Sequence, residues 1–73
     1  MNKATLQTYV RATVNHTPYS AEAITNLIQE QFPKEKIKLN QVFCILLQLE
    51  NAGIIRKKGT AYVDGPADIL FYN

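Results

Sequence analysis

Val42-Phe43-Cys44-Ile45-Leu46-Leu47-Gln48-Leu49-Glu50-Asn51-Ala52-Gly53-Ile54-Ile55-Arg56-Lys57 is the stretch on which the fold turns. At 100° per residue, Val42, Ile45, Leu46, Leu49 and Ala52 share one face. That spacing predicts a helix over Gln41 to Ala52, with Asn40 as its N-cap. Gly53 suits the left-handed position that closes many helices. After it the period changes to two. Ile54-Ile55-Arg56-Lys57 and Ala61-Tyr62-Val63 flank Lys58-Gly59-Thr60, which predicts a β-hairpin with a glycine in its turn. A helix therefore runs directly into a hairpin.

Upstream lie two further helical patterns. From Lys3 to Asn15, the residues Leu6, Tyr9, Val10, Thr13 and Val14 recur at three- and four-residue spacing. Thr17-Pro18 stops that run, because the residue before proline is pushed out of the α region. Ser20 is a good N-cap for the second helix, and Glu22 in its first turn complements the helix dipole. Ile24, Leu27, Ile28 and Phe32 form its apolar stripe, and Pro33 closes it. Between Pro33 and Leu39 the chain is a charged connector in which Ile37 and Leu39 alternate with lysines, a pattern compatible with a short β-bridge. The division expected is a domain over residues 1–64 and a tail over 65–73. The apolar run Ile69 to Tyr72 in that tail either folds back as a strand or helix or docks on a second copy.

Three helices followed by a β-hairpin give an α+β, mainly α architecture, and this layout resembles a winged helix-turn-helix domain. The resemblance is carried by Val42, Leu46 and Leu49, then Asn51-Ala52-Gly53-Ile54-Ile55. These match the family's hydrophobic residue followed by Leu-x-x-Leu-x-x-Ala-Gly-Leu/Ile-Ile. Ser20-Ala21-Glu22 and Ile24 resemble the start of the second helix in such domains. It covers roughly residues 3–64. It implies a fold with a C-terminal hairpin wing and a third helix that reads DNA. The chain departs from DNA-reading members on the face turned away from the core, where they favour polar residues. Here that face carries Phe43, Cys44, Leu47, Gln48 and Asn51.

Length and composition set the limits. Seventy-three residues make one small domain with a modest core. One cysteine, Cys44, permits no internal disulfide and no Cys-rich metal site, so packing or a partner chain must stabilise the fold. No stretch approaches the ~20 apolar residues of a membrane span, and the first residues lack a signal-peptide core. A cytoplasmic chain with a reduced thiol is expected.

The formal net charge of +2 conceals an asymmetry. Residues 34–58 hold Lys34, Lys36, Lys38, Arg56, Lys57 and Lys58 against Glu35 and Glu50, a local +4. The remainder holds Lys3 and Arg11 against Glu22, Glu30, Asp64 and Asp68, a local −2. In the winged-helix arrangement both basic clusters flank the third helix. Lys36, Lys38, Arg56, Lys57 and Lys58 are then candidates for phosphate contact, and Gln41, Cys44, Gln48 and Asn51 for the base edges.

No catalytic constellation stands out. His16 is the sole histidine, and its place near the end of the first helix suits an interaction with the helix dipole. The acids are scattered, and three glycines form no phosphate loop. No enzyme activity, metal, cofactor or small-molecule substrate is expected. Cys44, in the first turn of its helix, reads as a partly buried thiol more than as a reactive one. Two functions stay open. One is a DNA-binding transcriptional regulator or accessory factor. The other is a protein-interaction or homodimerisation module whose contact surface is formed by Phe43, Leu47, Ile69 and Phe71.

Overall fold

The computed structural model describes residues 1–59 and 65–73. Three helices and three short strands follow one another in the order α1 (Lys3–Thr13), β1 (Tyr19–Ser20), α2 (Ala21–Gln31), α3 (Leu39–Asn51), β2 (Arg56–Lys58) and β3 (Leu70–Tyr72). The fold is α+β and mainly helical.

Two of the three helices begin at a side-chain cap. The Asn2 carboxamide accepts from the Thr5 N–H at 2.8 Å and caps α1. The Ser20 hydroxyl accepts from the Ala23 N–H at 3.1 Å and caps α2 as expected. The third helix starts earlier than its apolar period suggests. Lys38 is its N-cap, with no side-chain cap hydrogen bond, so Asn40 lies inside the helix and does not cap it. Its end matches the expectation. Gly53 adopts φ +77°, its N–H donates to the Glu50 carbonyl at 2.9 Å, and the Ile54 N–H donates to the Leu49 carbonyl at 3.0 Å. That pair of bonds satisfies two of the helix's last free carbonyls.

The core is built from one stripe of each helix. Leu6, Val10 and Val14, then Ala21, Ile24 and Ile28, then Val42, Ile45, Leu46 and Leu49 are all buried. Ala52, expected on the same stripe, is the C-cap of α3 and is exposed. The only buried polar side chain among the described residues, Thr25, returns its hydroxyl to the Ala21 carbonyl at 2.7 Å.

The sheet differs most from the sequence reading. Its order is β1-β3-β2, antiparallel throughout. Phe71 lies opposite Tyr19 on one side and Lys57 on the other. The central strand, Leu70–Tyr72, therefore comes from the 65–73 segment, which packs on its own chain. The strand expected over Ala61–Val63 falls within 60–64, outside the described residues, and β2 pairs with Leu70–Tyr72. No strand forms at Ile37–Leu39; the strand that joins the sheet from upstream is Tyr19–Ser20.

Ile69 and Phe71 are completely buried, and Phe43 and Leu47 are half-buried against the core. The first pair is thus no docking surface. Their apolar area is consumed inside the chain, because a strand with helices on one face must bury its alternate residues. Among the described residues only Met1 and Ile54 are exposed large hydrophobics, at 38% and 41%. Of the two fates open to the tail, the structure shows it folded back as a strand.

Phe71→Ala should cost about 3–5 kcal/mol. A domain of this size has only roughly 4–11 kcal/mol to lose. Urea unfolding followed by circular dichroism should show a much lower midpoint for the variant, and an unchanged midpoint would place Phe71 outside the core.

Candidate nucleic-acid interface

The period that buries Val42, Ile45, Leu46 and Leu49 turns the intervening residues outward. Gln41, Cys44, Gln48 and Asn51 are all exposed on α3. The four side chains expected near base edges therefore share the solvent face of one helix. Cys44 corrects two expectations. Its thiol is exposed, and with α3 starting at Leu39 it sits in the second turn. Phe43 and Leu47 flank the same face but lean inward. The Phe43 ring meets Phe71 edge-on, with centroids 6.2 Å apart and planes at 75°.

A groove of about 310 Å³ runs between α1 and α3. Leu6 and Ile45 contribute apolar walls, and Lys3, Gln41, Cys44 and Gln48 contribute polar ones. Lys3 thus joins the exposed face of α3. Nothing in the sequence pattern singled it out, because the proximity depends on how α1 packs against α3.

The basic clusters take up the two ends of α3. Lys36 and Lys38 are exposed just before its first turn. Arg56 and Lys58 are exposed on β2, which follows its last turn. A 13-residue helix is roughly 20 Å long, so the clusters are separated by about that length.

The connector that holds the first cluster is fixed by a residue the sequence reading did not select. Gln29 of α2 donates its carboxamide N–H groups to the carbonyls of Phe32 and Glu35, at 2.9 and 2.5 Å. Its carboxamide oxygen accepts from the Ile37 N–H at 3.1 Å. One side chain thus satisfies three backbone groups of a turn that no regular element could serve. A glutamine in the last turn of a helix carries no local signal of such a role. Tyr9 and Phe32 close the same corner, with ring centroids 4.6 Å apart.

The second cluster divides by strand alternation. Lys57 lies opposite the buried Phe71, so its side chain is on the core-side face. Its Nζ reaches Glu50 Oε1 at 2.9 Å. Arg56 and Lys58 are on the other face, where the Lys58 ammonium sits 5.4 Å from the centroid of the Tyr72 ring. Lys57 therefore differs from the other proposed phosphate contacts, because its charge is already paired. With side chains 31% and 24% exposed, that pair contributes at most about 1 kcal/mol to stability.

No family model, curated protein or solved structure matches the chain.

The remaining features stay outside this surface. His16 is exposed in a bend beyond the C-cap Val14, because α1 ends at Thr13, two residues earlier than its apolar period suggests. Among the described residues no helix is long and apolar enough to cross a membrane.

An exposed Cys44 makes one direct prediction. In native buffer, a disulfide exchange reagent should titrate one thiol per chain at a rate within about tenfold of the urea-unfolded protein. Reaction limited by unfolding would show that the thiol is covered.

Proposed function

We infer that the chain is a winged-helix domain that binds nucleic acid, duplex DNA first of all, with α3 in the major groove. Such a domain would serve as a transcriptional regulator or accessory factor. The reading is carried by the split character of α3. Its buried stripe is purely apolar, its exposed stripe offers Gln41, Cys44, Gln48 and Asn51, and cations stand at both ends. The element order α1-β1-α2-α3-β2-β3, with β3 between β1 and β2, agrees with a winged-helix layout.

The chemistry suits a polyanion. Lys36 and Lys38 lie beside a helix N-terminus that has no side-chain cap and no acid in its first turn. The free N–H groups there carry positive partial charge and add to the lysines. Arg56 and Lys58 would engage phosphate at the opposite end. These contacts supply affinity without sequence information, and the carboxamides of Gln41, Gln48 and Asn51 supply hydrogen bonds to base edges. The protein-interaction alternative has lost two of its four residues to the core, since Ile69 and Phe71 are fully buried.

A salt titration with a random-sequence duplex tests the reading. The wild type should bind with an affinity that falls steeply between about 50 and 200 mM salt. The double substitution Lys36→Ala/Lys38→Ala should weaken binding at every sequence and make the slope shallower by roughly 0.9 per lost phosphate contact. Absence of binding, or binding indifferent to salt, would refute the proposal.

Gln48→Ala should behave differently. It should leave the salt slope intact and relax preference at one base pair by about 1–3 kcal/mol, measured by selection from a randomised duplex pool.

A further inference from the structure

Between Lys36 and Gly59 the chain carries five cations, Lys36, Lys38, Arg56, Lys57 and Lys58, and a single acid, Glu50. That acid is in the last turn of α3, where the helix dipole disfavours a carboxylate. Placed there it also opposes any polyanion laid along the helix. Its partner explains the position. Strand register turns Lys57 to the core-side face, and the ammonium meets Glu50 Oε1 at 2.9 Å. Arg56 and Lys58, on the opposite face, make no salt bridge with any described acid. Among the described residues, the middle one of the three consecutive cations of β2 is the one that pairs with an acid.

We propose that Glu50 is a specificity-setting residue that occupies Lys57 in the unbound protein and so holds down sequence-independent affinity for the phosphate backbone. This rests on the nucleic-acid reading above. A phosphate approaching the end of α3 must compete with a carboxylate already bonded to the ammonium. Non-specific DNA therefore gains less than the count of cations suggests. Base contacts from Gln48 and Asn51, which Glu50 does not screen, then make up a larger share of the discrimination.

The test is a double-mutant cycle on a random-sequence duplex, read as affinity and as salt slope. Glu50→Gln preserves the shape of the side chain and removes its charge. It should tighten binding by up to about eightfold near 0.1 M salt and steepen the slope by roughly 0.9, the signature of one added phosphate contact. Lys57→Gln should change little by itself, yet cancel the whole gain in the Glu50→Gln background. Glu30→Gln, at an exposed position of α2, should leave the slope unchanged. Glu50→Asp, which keeps the charge on a shorter arm, should fall between wild type and Glu50→Gln, and far-UV circular dichroism should confirm that each variant is folded. An unchanged slope in Glu50→Gln would overturn the proposal. So would an equal gain with and without Lys57, since Glu50 would then act as a general negative charge and not through its partner. If neither the wild type nor any variant binds duplex DNA, the nucleic-acid reading itself fails, an outcome readily distinguished from binding with an unaltered slope.

Discussion

The Phe71 side chain is the point through which sheet and helices are held together. It belongs to the central strand, opposite Tyr19 and Lys57, and it is fully buried. Its ring abuts Phe43 on α3. A fully buried phenylalanine contributes about 1.5–3 kcal/mol from apolar burial, and edge-to-face contact with another ring adds about 0.5–1.5 kcal/mol. In a chain of this length that is a large part of the net stability. The same contact sets the place of the sheet relative to α3, so the position of the β2 cations is inherited from it.

The basic residues are held in place by uncharged chemistry. Lys36 and Lys38 belong to a connector whose carbonyls and N–H groups are tied to Gln29. Arg56 and Lys58 face outward because Lys57 between them is directed inward by strand alternation. Long flexible lysines on a loop would ordinarily lose much rotamer entropy on binding. Fixing the backbone that carries them removes part of the ordering cost in advance and leaves only the side chains to be immobilised.

Much of this was legible in the sequence, for identifiable reasons. The apolar period of three and four located all three helices, Ser20 marked the start of α2, and Gly53 marked the end of α3. The outward residues of α3 followed from the same phase. What was hidden depends on pairing at long range. Ile69-Leu70-Phe71-Tyr72 reads as a short apolar run, and such a run does not reveal whether it meets its own chain or another. Tyr19-Ser20 is too short to register as a strand. Lys57 and Glu50 are separated by seven positions and a helix end, so their bond emerges only from the register of β2 on β3. Asn40 is a plausible cap by composition alone, but Lys38 occupies the capping position.

The pairing of Tyr19 with Phe71 joins residues fifty-two positions apart. The chain must close a loop of most of its length before that ladder yields any hydrogen bonds, and the entropy of closure is spent first. The three helices rely on local bonds and form on much shorter timescales. Topology therefore predicts folding slower than that of a three-helix bundle of equal size. The residue that secures the sheet thus also closes one of the longest loops of the fold.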